Sequence, residues 1–119
     1  GDGGMQMNIQ ELGTIMEQRV AVKMILLNNN YLGNVRQWQE LFFNHRYSWT
    51  PMLNPDYSLI AQGYGIASRL VVEREELDDA IKEMIECDGP FLLHVAVKEE
   101  ANVMPMTPPG ATVSEMIFE

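Results

Sequence analysis

The fold is constrained most by two short apolar runs, VAVKMILL at 20–27 and FLLHVAV at 91–97. Both runs are rich in branched side chains and show little polar alternation, which is typical of strands covered on both faces of a parallel sheet. The run ASRLVV at 67–72 is a third predicted strand. Because parallel strands need long crossover connections, the sequence between these runs must supply helices.

Helical patterns do separate the predicted strands. A helix from Met5 to about Arg19 is predicted by apolar residues at three- and four-residue spacing, namely Met5, Ile9, Leu12 and Met16. Further helices are predicted from Gly33, near 57–63, and over EELDDAIKEMIEC at 75–87. This alternation of helix and strand predicts a three-layer α/β/α domain with a mostly parallel sheet.

The chain opens on a glycine turn, GDGG. Such a turn normally joins a preceding strand to a following helix, so we expect the N-terminal strand or strands of the sheet to be missing. Residues 1–97 are expected to form a partial α/β domain. Residues 98–119 are expected to be an irregular tail, because the prolines of MPMTPPGA forbid regular structure over most of its middle. The polar and aromatic stretch 44–56 is a predicted loop, and loops of that length are more often functional than idle.

The charge balance limits the partners that the chain can have. It carries 8 basic and 17 acidic side chains, a formal net charge of −9. A surface this negative repels nucleic acid and anionic membranes, so we expect neither as a partner. An anionic ligand would have to be held by local devices such as helix N-termini, backbone amides or a bridging cation. The single cysteine, Cys87, suits a reducing compartment and hence the cytoplasm.

Two polar segments stand where an α/β sheet binds ligands. GDGG at 1–4 and NNN at 28–30 each precede a predicted helix at the carboxyl edge of the sheet. Asp2 and Asn29 would then be neighbours in space. A carboxylate, an amide oxygen and a nearby backbone carbonyl are hard ligands that suit Mg²⁺. On these residues alone, a helix-capping Asp2 in a glycine turn and an ordinary polar strand end fit equally well.

The same residues carry a resemblance to a known family. GDG, 24 intervening residues and NN resemble the motif of enzymes that depend on thiamine diphosphate (ThDP). The stretches MNIQELGT, NNNYLGNVRQWQELFF, DGPFLLHV and NVMPMTPPGA resemble the C-terminal ThDP-binding domain of acetohydroxyacid synthase (acetolactate synthase) large catalytic subunits. The resemblance covers essentially all 119 residues.

The resemblance implies a ligand set. Asp2, Asn29 and the backbone carbonyl of Tyr31 would bind Mg²⁺. The residues implied to contact the cofactor are Gly3, Gly4, Asn29, Tyr31, Gly33 and Asn34. Asn34 departs from the methionine expected there, and Pro109 stands where some relatives have serine.

The resemblance also implies a substrate pocket, in which Val35 and Trp38 line the channel for the second 2-oxo acid. Without the resemblance, Trp38 would be taken as a core aromatic on an amphipathic helix. His94, inside the run FLLHVAV, is predicted to be a hydrogen-bonded strand histidine and not a ligand.

The activity that the resemblance implies is that of the whole enzyme. It would decarboxylate pyruvate with ThDP and condense the product with pyruvate or 2-oxobutyrate, in the biosynthesis of valine, leucine and isoleucine. The glutamate that acts on the cofactor would lie in another domain, so no catalytic residue is assigned and the chain alone is expected to be inactive. FAD would be bound mainly outside this sequence. The implied partners are further full-length chains, in a homodimer or tetramer, and a small regulatory subunit.

Two other interpretations remain open at this stage. The chain could come from another ThDP-dependent carboligase or a pyruvate oxidase. It could also be a non-catalytic α/β interaction module that docks a partner through the aromatic loop at 42–49.

Overall fold

Among the residues that the structure describes, the sheet consists of three parallel strands, β1 (Lys23–Asn28), β2 (Ala67–Val71) and β3 (Phe91–Ala96). In this computed structural model, which describes residues 1–99 and 101–118, the strands lie in the order β1-β3-β2. Strand β3 is therefore central, and Asn28 at the end of β1 pairs with Ala96 at the end of β3. The carboxyl ends of these strands form one edge of the sheet, where the predicted site lies.

In the described part of the chain, five α-helices accompany the strands: α1 (Asp2–Asn8), α2 (Glu11–Gln18), α3 (Gly33–Phe42), α4 (Tyr57–Gly63) and α5 (Leu77–Glu86). A turn of 3₁₀-helix, Arg74–Glu76, leads into α5, and Glu73 and Glu76 form a capping box at its start. Helix α4 begins where the side chain of Asp56 accepts hydrogen bonds from the backbone N–H groups of Ser58 and Leu59. The predicted alternation of helix and strand is confirmed.

The core lies on both faces of the sheet because successive side chains of β3 point to opposite sides. Leu92 packs with residues of β1, α2 and α4, among them Leu26 and Tyr57. Phe91 and Leu93 pack on the opposite face, against side chains of α5. Helices thus cover the sheet from two sides, and the predicted three-layer α/β/α arrangement is confirmed.

The single helix predicted from Met5 to Arg19 is wrong. Two helices stand there, α1 and α2, with a tight turn at Ile9 and Gln10 between them. The backbone N–H groups of Leu12 and Gly13 bond to carbonyls only three residues back. The side-chain amide of Asn8 bonds to the carbonyl of Gly4, which is the local competition that asparagine offers at a helix end.

The prediction that the strand at 20–27 is covered on both faces is also wrong. Strand β1 begins only at Lys23, and Leu26 is buried while Ile25 and Leu27 are 55% and 51% exposed. The uncovered side chains lie on the α5 side of the sheet, where α5 packs over β2 and β3. The apolar composition therefore predicted strand β1 correctly. It did not predict that the described residues cover only one of its two faces.

The segment after β3 runs back over α3. The side-chain amide of Gln37 donates to the carbonyl of Val103 at 2.9 Å and accepts from its N–H at 2.9 Å, as a neighbouring strand would. Asn102 donates to Glu40 at 2.9 Å. Farther on, the tail contains a bridge between Met106 and Ile117 and a 3₁₀ turn at Val113–Glu115. Among the described residues, no helix has the length and apolar character needed to cross a membrane.

The core predicts a stability difference between two leucines. Leu93 is fully buried, so Leu93→Ala should lower the free energy of unfolding by about 2–5 kcal/mol through lost burial and the cavity that remains. Leu59 is 63% exposed, and Leu59→Ala should change it by no more than about 0.5 kcal/mol. Urea titration followed by circular dichroism measures both values, and equal losses in the two variants would contradict the assigned core.

Candidate functional site

The start of α1 meets the end of β1 at the carboxyl edge of the sheet. Asp2 is 1% exposed although it is the second residue of the chain. Its side chain makes no helix-capping bond, since Gly1 occupies the N-cap position. The alternative that Asp2 is an ordinary helix cap is therefore wrong, and its carboxylate points instead to the turn that follows β1.

Three polar groups converge at this point. The end of the Asn29 amide that faces Asp2 lies 3.1 Å from Asp2 Oδ1 and 3.0 Å from the carbonyl oxygen of Tyr31. If the nitrogen of the Asn29 amide occupies this end, it donates hydrogen bonds to Asp2 Oδ1 and to the carbonyl oxygen of Tyr31. With its oxygen there, Asn29 Oδ1 accepts the backbone N–H of Tyr31 at 3.3 Å but also faces two other oxygens, and a cation between the three would relieve their repulsion.

The spacing of these groups fits magnesium. Oxygens at about 2.0–2.1 Å from Mg²⁺ and at right angles to each other are about 2.9 Å apart. The observed 3.0 and 3.1 Å are close to that separation. Across the described residues, no group of three or more His, Cys, Asp or Glu side chains could hold a metal. The donor set is instead mixed, with one carboxylate, one amide and one backbone carbonyl.

A cleft of about 620 Å³ opens beside these groups. It is lined by all of the residues predicted to hold metal or cofactor, namely Asp2, Gly3, Gly4, Asn29, Tyr31, Gly33 and Asn34. The structure therefore brings together in one cavity two segments that the sequence separates by a helix and a strand. Val97, Lys98, Ala101 and Val103 form another part of the wall.

Two glycines allow the two sides of the cleft to approach. A Cβ on Gly3 would lie 2.8 Å from the side chain of Leu32, and a Cβ on Gly33 would lie 3.1 Å from Asn29 Nδ2. Any larger residue at Gly33 would thus press on the Asn29 amide. A Cβ on Gly4 would contact nothing within 4 Å, so this backbone is open to a ligand.

The start of α3 presents unpaired backbone donors to the same cleft. The first hydrogen bond of α3 runs from the N–H of Arg36 to the carbonyl of Leu32. The N–H groups of Gly33, Asn34 and Val35 precede it and have no partner within the helix, and all three residues line the cleft. A helix N-terminus of this kind attracts anionic groups such as phosphates.

A second cavity, of about 580 Å³, adjoins the cleft through Asn34 and Val35. Trp38 and Phe43 form its apolar wall, and Arg46 lies at its edge. Trp38 is 44% exposed and contacts Phe42 edge to face at 6.0 Å between ring centroids. It is therefore a wall of a cavity and not a core aromatic.

Sequence reasoning missed Asn54, which lies in the predicted loop at 44–56. Its side-chain nitrogen lies 2.7 Å from Asp2 Oδ2, 2.9 Å from Asn28 Oδ1 and 3.1 Å from Asn30 Oδ1. The hydroxyl of Tyr57 donates to Asn54 Oδ1 at 3.0 Å. The length of the loop indicated a function, but no pattern distinguished Asn54 from the other asparagines.

His94 stands behind this network on β3. Its Nε2 lies 3.0 Å from Asn28 Nδ2, and its ring meets that of Tyr57 edge to face at 5.7 Å. Burial lowers the pKa of His94 below 6.5, although the charges of Asp56 and Asp2 act in the opposite direction. The ring is therefore neutral and accepts at Nε2, while Nδ1 has no partner among the described residues.

Tyr57, which contacts both Asn54 and His94, keeps its proton. Burial, followed by the charge of Asp2, raises the pKa of its hydroxyl above 10.0. The hydroxyl also lies 3.3 Å from the backbone carbonyl of Asp2. Tyr57 is thus a protonated hydrogen-bond donor to the site at neutral pH.

Comparisons with known proteins find a matching family and similar sequences. The family model described as "Thiamine pyrophosphate enzyme, C-terminal TPP binding domain" matches residues 1–95. The acetolactate synthase isozyme 2 large subunit of Escherichia coli (strain K12) is 46% identical over 118 residues, which are 98% of this chain and 22% of that protein. The acetolactate synthase large subunit of Pyropia yezoensis is 40% identical over 119 residues, covering 98% of this chain and 20% of that protein.

A solved structure is similar as well. The Rhodococcus jostii RHA1 thiamine diphosphate-dependent 4-hydroxybenzoylformate decarboxylase superposes with a TM-score of 0.76 at 26% identity. The match covers 82% of this chain and 19% of that one. The chain thus spans about a fifth of the length of the proteins it resembles.

The buried histidine predicts a pH dependence of stability. Because the pKa of His94 is lowered on folding, the unfolded chain binds more protons below about pH 6.5, and the free energy of unfolding falls as the pH falls through that range. His94→Gln keeps an acceptor for Asn28 but does not titrate. Urea titrations between about pH 7.5 and about pH 5.5 should show a smaller decline in the variant. Parallel declines in the two proteins would refute the lowered pKa.

Proposed function

The chain belongs to the family of thiamine pyrophosphate enzyme C-terminal TPP-binding domains, and from that membership we propose that it is the cofactor-binding part of an acetolactate synthase. The relatives that match nearly all of the chain at 40% identity or more support this assignment. The observation that carries it is the convergence of Asp2, Asn29 and the Tyr31 carbonyl at 3.0 and 3.1 Å, inside a cleft that α3 faces with its N-terminus.

In this proposal, Asp2, Asn29 and the Tyr31 carbonyl hold Mg²⁺. Backbone N–H groups at Gly33 and Asn34, with the open backbone of Gly3 and Gly4, hold the diphosphate. The cation is needed because the chain carries a net charge of −9 and must still bind an anionic cofactor. An amide ligand in place of a second carboxylate avoids further repulsion between the protein and the phosphates.

The proposed reaction is the decarboxylation of pyruvate and the condensation of its two-carbon unit with pyruvate or 2-oxobutyrate, in the biosynthesis of branched-chain amino acids. When bound, ThDP supplies the electron sink for the decarboxylation. The residues of this chain bind and orient the cofactor, and Val35 and Trp38 shape the space for the second 2-oxo acid. No residue here is assigned a proton transfer, so the chain alone should turn over no pyruvate.

The remaining parts of the proposal concern the complete enzyme. We propose that it also binds FAD, outside this chain, that it forms a homodimer or tetramer, and that it works with a small regulatory subunit. A cytoplasmic location is proposed from the single unpaired Cys87. Family membership does not favour the alternative that the chain is a non-catalytic interaction module. The other alternative, a different ThDP-dependent enzyme, has weaker support, because the decarboxylase is 26% identical to this chain and the acetolactate synthase of Escherichia coli is 46% identical.

The first test removes the proposed anionic ligand of the metal. In the complete large subunit, Asp2→Ala should weaken Mg²⁺-dependent binding of ThDP by about 10-fold or more. Loss of a residue that only supports a metal ligand already lowers metal affinity about 10–100-fold, and Asp2 is proposed to be a ligand itself. Asp88→Ala removes an equal charge from an exposed turn and should leave binding unchanged. Isothermal titration with ThDP and Mg²⁺ measures both, and unaltered affinity in Asp2→Ala would overturn the ligand assignment.

The second test concerns the cavity beside the cleft. Trp38→Ala in the complete enzyme should change the ratio of products made from pyruvate and 2-oxobutyrate in competition, because a wall that contacts one extra methylene contributes about 1–3 kcal/mol to discrimination. Trp49 is 94% exposed and lines neither cavity, so Trp49→Ala is the matched control. A product ratio that is the same in all three proteins would exclude Trp38 from the substrate pocket.

A further inference from the structure

We propose that Asn54 is a positioning residue that holds the two halves of the metal site at the spacing of Mg²⁺. The inference rests on the proposed function, because it concerns the cation that Asp2 and Asn29 would bind. Asn54 does not line the cleft, so it is not itself a ligand. It acts through the groups that it contacts.

The first half of the site is the Asp2 carboxylate. Asn54 Nδ2 lies 2.7 Å from Asp2 Oδ2, a short bond of the kind that a charged acceptor forms. This bond occupies one oxygen and sets the rotation of the carboxylate about its Cβ–Cγ bond. The other oxygen, Oδ1, then faces Asn29 at 3.1 Å.

The second half is the turn that carries Asn29. The same nitrogen of Asn54 lies 2.9 Å from Asn28 Oδ1 and 3.1 Å from Asn30 Oδ1, the side chains on either side of Asn29. Asn28 Oδ1 also accepts the backbone N–H of Asn30 at 3.0 Å, which closes the turn. Asn30 has a left-handed backbone, with φ of 55°, and the carbonyl oxygen of the next residue, Tyr31, lies 3.0 Å from the Asn29 amide.

Asn54 is itself held in place from two directions. The hydroxyl of Tyr57 donates to Asn54 Oδ1 at 3.0 Å, so the amide must present its nitrogen to Asp2. The backbone N–H of Met52 bonds to the carbonyl of Asn30 at 2.8 Å, which ties the loop of Asn54 to the turn. One amide group therefore fixes the distance between two segments that are far apart in the sequence.

A fixed distance matters more for one cation than for another. Adjacent oxygens are about 2.9 Å apart around Mg²⁺ and about 3.3–3.7 Å apart around Ca²⁺, which also tolerates irregular geometry. Loss of Asn54 lets Asp2 and Asn29 separate. It should therefore weaken the binding of Mg²⁺ more than that of Ca²⁺, whereas general loosening of the fold would weaken both equally.

The experiment titrates Mg²⁺ and Ca²⁺ separately into the complete large subunit at saturating ThDP, with calorimetric detection. In Asn54→Ala, the affinity for Mg²⁺ should fall about 10–100-fold and the ratio of Mg²⁺ to Ca²⁺ affinity about 10-fold. Tyr57→Phe keeps the ring and removes the hydroxyl that orients Asn54, so the ratio should fall by a smaller factor. This variant carries the test if Asn54→Ala does not fold.

Asn44 provides the control, since it is an exposed asparagine of the same loop with a φ of 53°. Asn44→Gly accepts that backbone and should leave both affinities unchanged. If the parent enzyme binds the metals and the ratio in the variants stays within about twofold, Asn54 does not set the spacing and this inference fails alone. If the parent enzyme binds neither metal with ThDP, the proposed function fails first.

Discussion

The burial of the Asp2 carboxylate is the constraint on which the rest of the site depends. A buried charge is costly unless hydrogen bonds, an opposite charge or a metal compensate for it. Within residues 1–99 and 101–118, Asp2 takes part in no salt bridge to Lys, Arg or His, and it faces the amides of Asn54 and Asn29 instead. Neutral amides orient the carboxylate but leave its charge in place. In the proposed site, that residual charge, beside the carbonyl of Tyr31, would attract a cation.

The fold supplies this arrangement through the geometry of parallel strands. Because β1 and β3 end at the same edge, the turn after β1 and the start of α1 and α3 meet there without long connections. Close approach depends on glycine at Gly3 and Gly33, where a Cβ would meet Leu32 or Asn29. Behind the site, Tyr57 and His94 form a buried layer that joins it to the core. The proposed metal site is thus continuous with the packed interior, which would hold its oxygens in place.

The sequence predicted best the features that depend on local pattern. Helix α4 and strand β3 were expected within a residue or two, since the predicted loop at 44–56 ends before the helix and the apolar run at 91–97 specifies the strand. The division into α1 and α2 was missed because Met5, Ile9 and Leu12 pack in one core cluster across the turn, although Met16, the last residue of the pattern, is 52% exposed. The open face of β1 was missed because composition reports that a strand is apolar, not which of its faces a neighbour covers. Asn54 could not be found, because its contacts with Asp2, Asn28 and Asn30 arise only when the loop at 44–56 folds across the turn after β1.

We propose that Asp2, Asn29 and the Tyr31 carbonyl bind one divalent cation together. The most direct measurement is an anomalous difference map from a crystal of the complete large subunit soaked with Mn²⁺ and ThDP. The account predicts a single peak at about 2.1–2.2 Å from each of the three oxygens, close to the distances of an octahedral Mg²⁺ site. The amide of Asn29 would then present its oxygen to the metal. A peak away from these atoms, or an Asn29 nitrogen bonded to Asp2 beside the bound cofactor, would contradict it.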